Sequence, residues 1–157
     1  MRRLLADHSA VAMSGSALLT MPLTPAGTMI RNPNYAWKPD GSSVVFWVPD
    51  GQIMARGMWR ADASNGFSNP TLLTTSSASD FRWSPDGAKI AFISDRDGAD
   101  NLWVMDADGS NARQVSQEHS NLVHNPAWSP DGEYLAAKKS FMGSRSIAGG
   151  EIWMFHA

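Results

Sequence analysis

With 157 residues, a net charge of −2 and a hydrophobic share of 43%, the chain is long enough for one domain with a real core, which excludes the disordered and fibrous classes. The near-neutral charge carries no electrostatic footprint for nucleic acid or an anionic membrane, and the absence of cysteine excludes disulfides, thiolate metal sites and a Cys nucleophile. Seven Trp, 13 Gly and nine Pro point instead to short strands joined by tight turns, and no apolar run reaches the ~18–20 residues that span a bilayer.

Residues 1–30 form an atypical N-terminal segment with two readings. Arg2 and Arg3, the apolar stretch Ala10–Leu23 and small residues near Ala26–Gly27 loosely resemble a secretory signal, although Asp7 and His8 interrupt it. Alternatively, "ALLTMP" (Ala17–Pro22) and "GTMIR" (Gly27–Arg31) stand where the third and fourth strands of a preceding repeat would fall.

From residue 31 to 157 the chain repeats. The anchors are Trp37, Trp83 and Trp128, spaced 46 and 45 residues apart, each opening the phrase W-S-P-D-G or, at Trp37, W-K-P-D-G. Each phrase leads into a strand-like run: "SSVVFWV" (Ser42–Val48), "AKIAFIS" (Ala88–Ser94) and "EYLAAKK" (Glu133–Lys139). A second tryptophan then recurs in phase, Trp59 in "MWRAD", Trp103 in "LWVMD" and Trp153 in "IWMFH".

The phrase has the chemistry of a hairpin corner. Pro presets φ for a type I turn, Asp40, Asp86 and Asp131 accept local backbone hydrogen bonds, and Gly41, Gly87 and Gly132 take the left-handed conformation that closes the turn. "DRDGADN" (Asp95–Asn101) is a loop between second and third strands, and "DADGSN" (Asp106–Asn111) turns into a fourth, "ARQVS" (Ala112–Ser116). Four antiparallel strands per ~45 residues is the signature of a β-propeller blade. The fold expected is all-β: full blades at Asn34–Thr75 and Asp80–Gln117, three strands at Asn125–His156, and about 13 strands in total. About three blades form an incomplete ring, either a piece of a larger propeller or one closed by a second copy. The phased tryptophans are expected to pack blade on blade.

No site-forming pattern arises from the usual motifs. Counted as calcium loops, the turns place Gln117 or Asp106 where a bidentate Glu is required. His8, His119, His124 and His156 lack metal-ligand spacing, and neither a Gly-x-Ser-x-Gly elbow nor a phosphate loop occurs. The expectation is therefore no metal, no cofactor and no catalytic residue. One place breaks the repeat: the loop Ser140–Gly150 is longer than its counterpart Asp95–Asp100, and insertions on rigid scaffolds are where binding tends to sit. Lys138, Lys139, Arg145 and Glu151 flank or occupy it and are the candidate binding residues, set against a surface loop or an ion pair that holds the blade.

"FRWSPDGAKIAFISDRDGADNLWVMDADGSNARQVS" resembles a repeat of the TolB-like β-propeller family, and the likeness runs from Asn34 to the end of the chain. "NPAWSPDGEYLAAKKSFMGSRSIAGGEIWMFH" is similar to the propeller half of large bacterial proteins in which such a propeller precedes a metal-dependent amidohydrolase domain. The resemblance implies a ring of six or more blades, favours a periplasmic or secreted setting, and lends no catalytic residue, since the chain has no His-x-His pair. Function is thus expected to be that of a non-catalytic scaffold or binding module for a protein, peptide or small ligand. The alternative is the propeller part of a larger hydrolase, amidohydrolase or prolyl-oligopeptidase-like. The partner expected is another protein, or a second copy that completes the propeller.

Overall fold

The computed structural model describes residues 23–24, 34–49, 54–119, 122–142 and 147–157. Eleven strands occupy these residues, grouped in three antiparallel sheets. The first contains β1 (Tyr35–Trp37), β2 (Ser43–Val48), β3 (Gly57–Asp62) and β4 (Thr71–Thr74), in that spatial order. The second contains β5 (Ser79–Trp83), β6 (Lys89–Ser94), β7 (Asn101–Asp106) and β8 (Arg113–Gln114). The third contains β9 (Leu122–Trp128), β10 (Tyr134–Met142) and β11 (Ile147–His156). These are propeller blades, two of four strands and one of three, and they form no closed ring.

The repeat predicted from the tryptophans is reproduced strand for strand, with two differences. The expected fourth strand of the second blade shrinks to Arg113–Gln114, because β8 pairs with β7 only at Trp103↔Gln114 and Val104↔Arg113. The expected loop Ser140–Gly150 is largely hairpin: pairing of β10 with β11 continues through Ser140↔Gly150 and, past an irregularity, to Met142↔Ile147. The proposed strands at Ala17–Pro22 and Gly27–Arg31 lie outside the described residues.

Strand composition follows from burial on two sides. β6 reads as an almost unbroken apolar run because neither face meets water: Ile90 and Phe92 pack toward the first blade, Ala91 and Ile93 toward the third. One core joins Val45 and Met58 to Phe81, Trp83, Ile90, Phe92, Trp103 and Met105. The next joins Ala91, Ile93, Leu102 and Val104 to Val123, Leu135 and Ala137. At roughly 25 cal/mol per Å² of apolar surface removed from water, these faces dominate the stabilisation of the blade stack.

The anchor tryptophans add direction to this packing. Trp83 Nε1 donates to the Ala36 carbonyl at 3.1 Å, and Trp128 Nε1 donates to the Arg82 carbonyl at 3.0 Å. In both cases the acceptor is the residue just before the previous anchor. A second link lies further along the inner strands, where Asn125 N–H donates to Asp80 Oδ2 at 3.2 Å. Asp80 and Asn125 have φ of 52° and 51° at strand irregularities, a left-handed backbone that short polar side chains tolerate.

Each corner is a self-contained turn. Gly41, Gly87 and Gly132 have φ of 73°, 68° and 76°, and their N–H groups bond to the carbonyls three residues back at 2.9, 2.9 and 3.0 Å. Asp86 Oδ1 accepts from Ser84 Oγ at 2.6 Å and Ala88 N–H at 3.0 Å; Asp131 Oδ1 accepts from Ser129 Oγ at 2.5 Å and Glu133 N–H at 3.0 Å. At the first corner Lys38 replaces that serine. Asp40 instead accepts from Ser42 Oγ and Ser42 N–H, and Lys38 Nζ approaches its other oxygen at 3.1 Å. Gly87 has a second constraint, since a Cβ there would run into the Lys38 side chain of the preceding blade.

These bonds favour the ionised carboxylates. The Ser42 hydroxyl and amide, then Lys38, bring Asp40 down to about 2, and the serine and backbone bonds hold Asp86 and Asp131 below the usual carboxylate range. A pKa lowered by folding contributes stability above the unfolded value, and the contribution is lost as pH falls through the folded one. The urea midpoint is therefore expected to fall as pH drops from about 4 toward 2, and the triple variant Asp40→Asn, Asp86→Asn, Asp131→Asn should flatten that fall. An unchanged slope in the variant would remove the corners as its source. Separately, Trp83→Phe is expected to cost about 1 kcal/mol for the lost indole bond, and Trp83→Ala about 3–5 kcal/mol for the added cavity. Equilibrium urea unfolding measures both.

Candidate functional site

In every sheet the W-S/K-P-D-G corner joins the first strand to the second, so the turn joining second to third lies at the opposite end of the blade. Lys138, Lys139 and Glu151, among the predicted binding residues, belong to that end. Consecutive residues of a strand face opposite sides, so Lys138 and Lys139 part company. Lys139 pairs with Glu151 across β10 and β11 and shares its side with Trp153, whereas Lys138 pairs with Ile152 on the other side. Arg145 lies outside the described residues.

The surroundings of Lys139 are built by the connection from β8 to β9. Buried Asn101 accepts at Oδ1 from Ser116 Oγ (2.8 Å) and Glu118 N–H (2.7 Å), while its Nδ2 donates to the Glu118 carbonyl at 3.0 Å. Ser116 Oγ also accepts from the Leu102 N–H at 2.8 Å. With its backbone pinned, Glu118 meets Lys139 Nζ at 2.8 Å, both side chains being 13% exposed. Lys139 Nζ also lies 4.3 Å above the Trp153 ring, whose Nε1 donates to Glu151 Oε2 at 2.9 Å. The result is a carboxylate–ammonium–indole–carboxylate row spanning the second and third blades.

The second blade carries a related arrangement. Arg96 stacks on Phe92 and Trp103, at 5.0 and 4.6 Å from the ring centres, and its Nε donates to Ser94 Oγ at 3.0 Å. Ser94 Oγ in turn donates to the Ser77 carbonyl. Burial lowers the guanidinium from its ordinary value, with Asp97 opposing, yet it remains a cation. Trp103 and Trp153 hold the same place in the repeat, so two successive blades set a cation over their second tryptophan. In the first blade Arg56 lies 5.8 Å from the Trp47 ring, and Trp59 Nε1 bonds to the Ala55 carbonyl at 2.9 Å.

His124 Nε2 lies 3.1 Å from Ser140 Oγ, and His119 is exposed. Among the described residues no group of three or more His, Asp or Glu is placed to hold a metal ion, and no helix is long and apolar enough to cross a membrane. The sequence pattern singled out Lys139 and Glu151 but not Arg96 or Asn101. Arg96 had a signal available, as a lone basic residue in an acidic turn just after an apolar strand. Asn101 had none, because the other blades place Gly57 and Glu151 near the start of the corresponding strand.

Comparison with known proteins agrees with the architecture. The TolB beta propeller domain matches residues 26–153. The uncharacterized peptidase YuxL of Bacillus subtilis (strain 168) is 33% identical over 135 residues, covering 83% of this chain and 20% of that protein. The Tol-Pal system protein TolB of Anaeromyxobacter dehalogenans (strain 2CP-C) is 40% identical over 93 residues, covering 59% of this chain and 20% of that protein. The crystal structure of TolB from Acinetobacter baumannii superimposes with a TM-score of 0.58 at 22% identity, covering 78% of this chain and 32% of that one, a likeness of fold. The chain spans about a fifth of the length of these two curated relatives.

The Lys139–Glu118 pair provides a direct test of this end of the blades. Glu118→Gln is expected to cost about 1–3 kcal/mol, because a largely buried ammonium loses its counter-charge, and Lys139→Met less, because its stem can still cover Trp153. A double-mutant cycle read by urea unfolding gives the coupling, and zero coupling would mean that the pair holds nothing.

Proposed function

The chain belongs to the TolB β-propeller family, and from that premise we propose that it acts as a binding scaffold, presenting one blade end to a protein, peptide or small-ligand partner. The observation that carries this reading is the β10–β11 hairpin. Its strands run to 9 and 10 residues where β6 and β7 have 6 each, and Trp153 at its base is 43% exposed where Trp103 is 8% exposed. The blade thus extends past its repeat at the end that carries Lys139 and Glu151. Lys138, Lys139, Arg145 and Glu151 are the proposed contacts, of which Lys139 and Glu151 set both charges beside the accessible Trp153 indole, an arrangement that suits a polar peptide segment better than an apolar ligand.

A second reading, the propeller part of a larger hydrolase, is favoured by the match to a peptidase. In that setting the blades govern access to chemistry performed by another domain. A reading frame that joins this segment to a hydrolase domain selects this second reading, and a frame without one selects the first.

Titration of the ¹⁵N-labelled chain with short peptides of contrasting charge tests the binding site. Saturable shifts are expected at amides of residues 95–100, 138–142 and 147–153, and Lys139→Ala should weaken binding by about five-fold, or ~1 kcal/mol. No response to any peptide, or shifts confined to the W-S-P-D-G corners, would refute the proposed site.

A further inference from the structure

The cation–indole pairs of the second and third blades differ in how their donors are answered. Cross-strand pairing aligns the two blades: Phe92↔Trp103 corresponds to Ala137↔Trp153, and Ser94↔Asn101 to Lys139↔Glu151. In the third blade each donor meets a carboxylate. Lys139 Nζ reaches Glu118 Oε1 at 2.8 Å, and Trp153 Nε1 reaches Glu151 Oε2 at 2.9 Å. In the second blade Arg96 Nη2 and Trp103 Nε1 are both buried, and neither has an acceptor among the described residues.

The residues at the corresponding positions explain the difference. Where the third blade has Lys139 and Glu151, the second has Ser94 and Asn101, and both are already engaged. Ser94 Oγ donates to the Ser77 carbonyl and accepts from Arg96 Nε, while Asn101 Oδ1 accepts from Ser116 Oγ and Glu118 N–H. The connection entering the third blade brings Glu118, whereas the connection entering the second, residues 75–78, reads Thr-Ser-Ser-Ala and contains no carboxylate. Asp95, Asp97 and Asp100 share a turn with Arg96, yet no ion pair joins them to it among the described residues. A buried donor without an acceptor is costly, more so when it is charged, and a single group that accepts from both donors relieves both costs.

We propose that Arg96 and Trp103 form a binding site for one carboxylate of a peptide, carried by an acidic side chain or by a chain terminus. One carboxylate oxygen accepts from Arg96 Nη2 and the other from Trp103 Nε1. The guanidinium centre lies 4.6 Å from the indole ring centre, which brings the two donors within reach of a single carboxylate. The site stands where the first and second blades meet, because Phe92 and Trp103 pack with Val45 and Met58, and it lies at the end opposite the corners. Arg96 belongs to a turn whose Asp95, Asp97 and Gly98 are exposed, so its guanidinium can swing about the Ser94 bond to admit the ligand. The acidic residues of that turn disfavour a dianion such as phosphate and leave a singly charged carboxylate as the fitting group. This site stands on the two unanswered donors alone and does not depend on the contacts proposed at the β10–β11 hairpin.

Two-dimensional ¹H–¹⁵N NMR of the full chain reads the site at the indole N–H of Trp103, a peak that Trp103→Phe assigns by removing it. The probes, at constant ionic strength, are acetyl-Ala-Glu-Ala-amide, acetyl-Ala-Ala-Ala with a free C-terminus, and acetyl-Ala-Gln-Ala-amide as the uncharged control. A saturable downfield shift of the Trp103 indole proton is expected with at least one of the first two and not with the third. A response to the Glu peptide alone identifies an acidic side chain as the ligand, and a response to the free terminus alone identifies a chain end. Arg96→Met, which keeps an apolar stem over the ring, should weaken that binding about ten-fold. Should Arg96→Met lose its far-ultraviolet CD spectrum, Arg96→Lys, which keeps the charge and loses the planar fork, takes its place with weakening again expected. Unchanged affinity in the Arg96 variant overturns the proposal, as does a Trp103 indole silent toward both carboxylate peptides. So does an equal shift with the Gln peptide or with inorganic phosphate, the latter meaning an adventitious ion only. Shifts at residues 147–153 with Trp103 silent would overturn this site while leaving the hairpin contacts standing, so the two readings fail at different residues.

Discussion

Everything in this molecule depends on a blade having two apolar faces. A sheet in a sandwich hides one face and wets the other, but the central blade here buries Ile90 and Phe92 on one side and Ala91 and Ile93 on the other. Such a sheet has no stable existence alone. Its sequence is legible as a blade because the apolar run is unbroken, and its position in the stack is fixed because each face has a different partner. The indole bond from Trp83 to Ala36, repeated from Trp128 to Arg82, converts this area-driven attraction into a defined registration. Dispersion and water exclusion bring blades together without specifying an offset, whereas a hydrogen bond at about 3 Å admits one offset only.

The corners solve a different problem. A turn at the end of every inner strand must close without help from its neighbours, or a change in one blade would propagate to all. Each Asp therefore collects its donors from within two residues, and each Gly absorbs the positive φ. The same local saturation explains why a conspicuous five-residue phrase is a building element. Its polar atoms are already occupied by one another, leaving little for a ligand to bind.

Period and turn chemistry were readable in the residues because both are local. Trp37, Trp83 and Trp128 marked the blades, and Asp–Gly marked the corners, with no knowledge of tertiary contacts. Three features escaped this reading, for related reasons. The shortness of β8 reflects how far Arg113 and Gln114 keep pairing with β7, which composition does not encode. The left-handed turns at Asp80 and Asn125 depend on how inner strands approach each other, although both are residues that tolerate that backbone. The meeting of Glu118 with Lys139 joins positions 21 apart through the scaffolding of Asn101, and nothing in either neighbourhood announces it. Between the two alternatives weighed for the Ser140–Gly150 region, the extended hairpin departs from a plain surface loop, and Lys139 sits in a pair that ties the third blade to the connection before it.

Repetition also explains where chemistry is free to vary. Positions that serve the stack are held by their neighbours: Leu135 repeats the role of Ile90, and Trp128 that of Trp83. Positions at the far end answer to no repeat. Where the second blade has Ser94 anchoring Arg96 over Trp103, the third places Lys139 itself over Trp153 and answers it with Glu118. The second tryptophan is a constant of the fold, while in the second and third blades the cation above it comes from a different strand position and finds a different counter-group. A scaffold that fixes its aromatic residues for packing thereby sets different cations over the same indole position in the second and third blades. In the third blade that freedom is greatest, because Trp153 is partly open to solvent and the hairpin above it is longer than its counterpart. The repeated anchors that register the stack and the cation–indole pairs that differ between blades thus lie at opposite ends of the same strands.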